Sequence, residues 1–135
     1  MNRIQAIFLI IFFLGSSLFS IGQNRHIKAG DEAFENQLYK IAAEKYKKGY
    51  KKLKKAEDKE IVSLKMAESY RLTNDLRKAK AQYNRLVRLE SYKNNPEIVL
   101  RYGQVLLMLS EFKEADLQFA LYDSLMNQDP QALVA

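Results

Sequence analysis

The chain of 135 residues contains no cysteine, one histidine, two prolines and five glycines. Each shortage closes off something. Without Cys there is no disulfide, no thiolate nucleophile, no thiolate zinc site and no lipid-modified N-terminal cysteine, and the redox compartment is left open. So few helix breakers leave room for long uninterrupted helices. Val, Ile and Thr do not cluster in alternating runs, which speaks against a sheet. His26 has no candidate ligand partner nearby in sequence, so a surface or packing role is expected rather than metal or acid–base work. There is no glycine-rich phosphate loop and no nucleophile elbow. Adjacent carboxylates such as Asp31-Glu32 and Glu57-Asp58 point to different helix faces and cannot act together. The expectation is a protein that is not an enzyme, with no catalytic, cofactor-binding or metal site.

What is present is an ordinary globular balance, 47% hydrophobic and 28% charged, sized for one domain with a modest core. The formal charge is +6. A basic chain can favour nucleic acid or an anionic membrane. Here 16 acidic residues dilute 22 basic ones, which favours a solvated, lysine-rich helical surface. No nucleic-acid partner is expected.

Residues 1–22 read as a secretory signal peptide. Arg3 is its only charge, Ala6 to Leu14 is an unbroken apolar run, and Ser20-Ile-Gly22 places small residues where a signal peptidase reads. Cleavage is expected between Gly22 and Gln23. The competing reading is an uncleaved anchor, since residues 4–24 carry no charge and a span needs about 20 apolar residues. Either way the remainder is expected to be exported, on the periplasmic side in a bacterium.

The remainder repeats itself. A small residue (Gly30, Ala67, Gly103) precedes an Ala by twelve positions (Ala42, Ala79, Ala115), and each Ala precedes an aromatic by four (Tyr46, Tyr83, Phe119). Tyr39, Leu76 and Phe112 fall three before the Ala. The copies are offset by 37 and 36 residues. Such spacing suits pairs of helices crossing closely at small residues, the aromatic filling the space between one pair and the next. One pair cannot bury its apolar face alone, so copies are expected to stack. Six helices are expected near 25–36, 39–54, 58–73, 76–90, 96–109 and 112–127, with turns at Asn36-Gln37, Asn74-Asp75 and Ser110-Glu111.

This pattern resembles the tetratricopeptide repeat. The likeness rests on the small residue, the Ala and the aromatic in three copies, about 23–59, 60–95 and 96–130, and covers nearly all of residues 23–130. Pro96 opens copy three and Pro130 follows its second helix; copy one has no Pro. The large residue usual early in the repeat is replaced by His26, Ser63 and Val99. The resemblance implies an all-α fold, a right-handed α-solenoid of three helical hairpins, followed by a tail at 131–135. It also implies a protein-binding concave surface formed by the first helices. By register that surface holds Lys28, Asp31, Phe34 and Glu35, then Leu64, Lys65, Glu68, Arg71 and Leu72, then Leu100, Arg101, Gln104, Leu107 and Met108. Lys28, Lys65 and Arg101 form a basic row that could hold an acidic or C-terminal peptide. The plainer expectation pairs Lys28 with Asp31 and Lys65 with Glu68 along one helix, each pair worth ~0.2–0.5 kcal/mol. The family's carboxylate clamp wants Asn where this chain has Asp31, Glu68 and Gln104, so no clamp is expected.

The stretch Lys47-Lys-Gly-Tyr-Lys-Lys-Leu-Lys-Lys55 admits two readings. It could touch anionic lipid headgroups, making the chain a peripheral membrane protein. More plainly, Tyr46, Tyr50 and Leu53 recur at helical spacing while the lysines fill the solvated face. The second helix of copy three carries Leu117, Phe119, Ala120, Leu121, Tyr122, Leu125 and Met126, more apolar surface than one neighbour can bury. A partner, a second copy of the chain or further C-terminal domains are expected to cover it. The signal segment, Ala67-Glu-Ser-Tyr-Arg-Leu-Thr-Asn74, Lys78-Ala-Lys-Ala-Gln-Tyr83 and Leu100-Arg-Tyr-Gly-Gln-Val-Leu106 also resemble a family of periplasmic, outer-membrane-associated proteins. In these a tetratricopeptide domain precedes a β-propeller and an OmpA-type peptidoglycan-binding domain, and some serve type IX secretion. This sequence has neither later domain, so peptidoglycan binding does not carry over. The implied role is an exported interaction scaffold in such an assembly.

Overall fold

The computed structural model describes residues 24–127. The signal segment 1–22, its cleavage site, Pro130 and the tail 131–135 lie outside the described residues. Six α-helices account for most of the span, with no strand among the described residues: α1 (Arg25–Glu35), α2 (Tyr39–Tyr50), α3 (Ala56–Leu72), α4 (Leu76–Arg88), α5 (Glu97–Met108) and α6 (Phe112–Met126). None of them is long and apolar enough to cross a membrane.

Local chemistry explains the starts and stops. The Asn24 side chain caps α1 by accepting from the His26 N–H at 3.1 Å. Glu57 and Asp58 occupy the first turn of α3, where negative charge suits the helix N-terminus. Pro96 stands just ahead of α5 with a helical φ of −58°.

The three tight turns are built alike. Gln37, Asn74 and Ser110 hold φ of 60°, 59° and 61°. In each turn the next N–H reaches back five residues, Leu38 to Ala33, Asp75 to Tyr70 and Glu111 to Leu106. The positive-φ residue itself donates three back, to Phe34, Arg71 and Leu107. This is the Schellman arrangement, which satisfies carbonyls that a helix end would leave bare. The turns recur at the same 37- and 36-residue offsets as the sequence copies.

The expected boundaries shift by no more than two residues except at the end of the second helix, where the shift is four. The second helix ends at Tyr50 rather than 54, and the third starts at Ala56 rather than 58. Past Tyr50 the chain tightens into three-residue steps, Lys52 N–H to Gly49 and Leu53 N–H to Tyr50. Leu53, which follows that turn, is buried in the core.

Each helix packs chiefly on its neighbours in the chain. The core runs in two parts, one around Tyr46 and Val62 and one around Tyr83 and Val105, with Tyr70 touching both. Ala42, Ala79 and Ala115 are wholly buried. The small residues are small for a steric reason: a Cβ on Gly30 would lie 2.6 Å from the Tyr46 ring, and one on Gly103 2.6 Å from the Phe119 ring. The aromatics press on the small residue of their own copy and also reach the next copy, Tyr46 packing in one cluster with Val62 and Met66 and Tyr83 stacking on Tyr102. On α6 only Ala115 is buried, while Phe112, Leu117 and Met126 are 59%, 68% and 54% exposed.

Candidate functional site

Asp31 lies where α1, α2 and α3 meet. Its Oδ1 accepts the Tyr46 hydroxyl at 2.7 Å and the Lys65 ammonium at 2.6 Å. Lys65 Nζ also stands 5.7 Å from the centroid of the Tyr46 ring. One carboxylate thus ties three helices. Thirty-seven residues on, Glu68 takes Asp31's place. It accepts the Tyr83 hydroxyl through Oε1 and the Arg71 guanidinium through Oε2, at 2.7 Å from Nη2 and 3.2 Å from Nε. In copy three the same two positions hold Gln104 and Phe119, so carboxylate and hydroxyl vanish together.

These contacts set the electrostatics. Burial, and then the bond to Asp31, hold the Tyr46 phenol well above its ordinary pKa. Burial and the Glu68 bond do the same for Tyr83. The Glu68 bond raises Arg71. Partial burial, and then the nearby cations Lys52, Arg25, Lys45 and Lys48, lower His26.

The expected same-helix pairs are therefore corrected. Asp31 bonds Lys65 from α3 rather than Lys28, and Glu68 bonds Arg71 rather than Lys65. The buried tyrosine hydroxyls draw both carboxylates inward, and the cation able to reach that inward position takes the pairing. The basic row is also not a free row. Lys65 is paired to Asp31, and Arg101 Nε lies 3.5 Å from Glu97.

Between α1 and α3 a groove of about 390 Å³ is lined by Asp31, Phe34, Glu35, Tyr46, Leu64, Lys65 and Glu68. It brings together six of the sequence-derived surface residues: Asp31, Phe34, Glu35, Leu64, Lys65 and Glu68. Arg71 adjoins through Glu68. Lys28 is exposed on α1 and is not among the lining residues. Leu100, Arg101 and Gln104 are half-buried on α5, and Leu107 and Met108 are exposed at its end, 48% and 58%. Lys65 and the adjoining Arg71 answer Asp31 and Glu68, while Glu35 has no ion pair among the described residues, so this groove favours a cationic and apolar visitor over an acidic one.

Sequence reasoning missed a second groove, formed by α2, α3 and α4, in which Lys47 and Lys51 meet Lys78 and Arg85. The signal was present. Lys78 and Arg85 are seven apart and share a face of α4, with the small Ala81 between them. Their meeting with α2 depends on a contact between elements that no local pattern reports. Comparisons of the chain with protein-family models, with curated proteins and with solved structures return no match.

Proposed function

We propose that this chain is an exported protein–protein interaction scaffold, a right-handed α-solenoid of three tetratricopeptide-like hairpins. Its role is that of an adaptor in an outer-membrane or periplasmic assembly. Two features support the architecture: the identical Schellman turns at repeat spacing, and the Asp31–Tyr46 contact reproduced by Glu68–Tyr83. Both follow if each copy is one helical unit packed in the same way on the next.

The observation that carries the function is the groove between α1 and α3. Among its lining residues Phe34 and Leu64 are apolar and Asp31, Glu35 and Glu68 are acidic. Asp31 and Glu68 are locked by tyrosine and cation partners, so their positions are set before a partner arrives. Such preorganisation lowers the ordering cost of binding. The fitting partner is a polypeptide segment presenting an apolar side chain beside a Lys or Arg.

A photo-crosslinking amino acid at Leu64 tests this in the producing cell. The expected result is one discrete crosslinked protein that is lost when Phe34→Asp is added. The same crosslinker at the exposed Lys54, outside the groove, should capture nothing comparable. An identical product from both positions, or none from Leu64, refutes the reading.

A further inference from the structure

The second groove, of about 380 Å³, presents four cations: Lys47 and Lys51 from the α2 side, and Lys78 and Arg85 from α4. No carboxylate is among its lining residues. Asp75 pairs with Lys78 at the edge. Lys47, Lys51 and Arg85 have no ion pair among the described residues. Tyr50 and Tyr70 supply aromatic walls, with the Arg85 guanidinium 5.0 Å and the Lys59 ammonium 5.9 Å from the Tyr50 centroid. Two polar atoms of the same wall, the Tyr50 hydroxyl and Gln82 Oε1, are buried without a hydrogen-bond partner among the described residues. The groove adjoins a depression of about 410 Å³ that shares Lys47, Tyr70 and Lys78 and adds Lys40, together with Glu44 and Asp75.

Like charges gathered in a concave wall repel one another, and the wall focuses their field. Elsewhere in this chain cations facing inward have acquired carboxylates, as Lys65 has Asp31 and Arg71 has Glu68. Asp75 answers Lys78 at the edge, and the absence of a carboxylate beside Lys47, Lys51 and Arg85 leaves their positive potential uncompensated. A carboxylate ligand carries one charge and answers little of it. A phosphate group concentrates two or more charges and several acceptor oxygens in the same space. Arg85 can meet it with a fork of N–H donors and the lysines with point charges. The tyrosine walls can flank whatever carries the phosphate. The lysine-rich stretch is thereby divided: Lys47 and Lys51 line the groove, whereas Lys48 and Lys52 do not.

We propose that this groove is a binding site for a multiply charged phosphate group, held by Lys47, Lys51, Lys78 and Arg85. The phosphate can arrive on a soluble organic phosphate or on a phospholipid headgroup, and the test separates the two. The probe is inorganic tripolyphosphate, titrated calorimetrically into the protein at low salt. Saturable binding of one equivalent is expected. Lys51→Gln with Arg85→Gln removes two groove cations from exposed positions. Lys54→Gln with Lys55→Gln removes the same net charge outside the groove. The groove pair should weaken binding at least tenfold, at about three- to tenfold per lost charged contact. The outside pair should weaken it by no more than about twofold, the effect of a more distant, screened charge. Equal losses from the two pairs, or no saturable binding at millimolar tripolyphosphate, overturn the proposal. Phosphatidylcholine vesicles with and without phosphatidic acid then identify the source. Binding that needs phosphatidic acid and is lost only with the groove pair assigns the site to a lipid headgroup. Tripolyphosphate binding without vesicle binding assigns it to a soluble phosphate.

Discussion

Removing one oxygen atom should measure the bond that ties the first three helices together. In Tyr46→Phe the ring still fills its place against Gly30, but Asp31 loses a donor held at 2.7 Å. A hydrogen bond to a charged group contributes about 1.5–3 kcal/mol net. The Asp31 side chain is 39% exposed, so water replaces part of what is lost, and Lys65 remains bonded to the same oxygen. The expected destabilisation is therefore about 1–2 kcal/mol, or a fall in Tm of roughly 5–10 °C for a domain near 100 residues. Urea and thermal unfolding followed by circular dichroism at the helical band give both numbers. Tyr39→Phe is the control, because Tyr39 is half-buried and its hydroxyl makes no hydrogen bond among the described residues. In an Asp31→Ala background the Tyr46 hydroxyl has no acceptor, and adding Tyr46→Phe should change stability by less than about 0.5 kcal/mol. If Tyr46→Phe is indistinguishable from Tyr39→Phe, or if its cost persists undiminished without Asp31, the three-helix tie contributes nothing and the reasoning fails.

Further outcomes follow from the same structure. Gln37→Gly, Ser110→Gly and Glu90→Gly each relieve a non-glycine residue of positive φ and should each raise stability by about 1 kcal/mol, readable as an upward shift of the urea midpoint. Gly49→Ala should do the reverse of what helix propensity suggests. The new Cβ would meet Ile27 Cγ1 at 2.6 Å and the Ile27 backbone nitrogen at 3.2 Å, and backbone cannot step aside. The gain of about 1 kcal/mol from replacing glycine in a helix is then outweighed, for a net loss of about 1–2 kcal/mol in the same measurement. Alkaline pH should unfold the protein through Tyr46 and Tyr83. Their folded pKa values are raised above the ordinary value of 10.0, so the stability they confer is complete below pH 10 and is lost as pH rises beyond it. A Tyr46→Phe, Tyr83→Phe double variant, though less stable at pH 8, should lose less stability between pH 9 and pH 11; an unchanged slope there would contradict the assignment.

The helices and their rhythm are legible in the order of residues, because that information is local. Apolar residues at helical spacing, Asn, Asp and Ser near the turns, and small residues twelve before each Ala placed six helices within a few residues of where they lie. Steric demand made the small positions legible, since Gly30 and Gly103 are tied to Tyr46 and Phe119 by ring contacts that no larger residue allows. The largest departure among the boundaries is the segment between Tyr50 and Ala56, where a lysine-rich stretch of good helix formers leaves the helix. Which charges meet is settled by the packing of the helices. Sequence spacing pairs Lys28 with Asp31 and Lys65 with Glu68, because such neighbours share a helix face. The buried hydroxyls of Tyr46 and Tyr83 draw those carboxylates inward instead, and Asp31 then closes on a lysine 34 residues away. The meeting of Lys47 and Lys51 with Lys78 and Arg85 likewise comes from α2 lying beside α3 and α4. Pairing across helices depends on distance in space, and a helix face read alone carries no record of what will be packed against it.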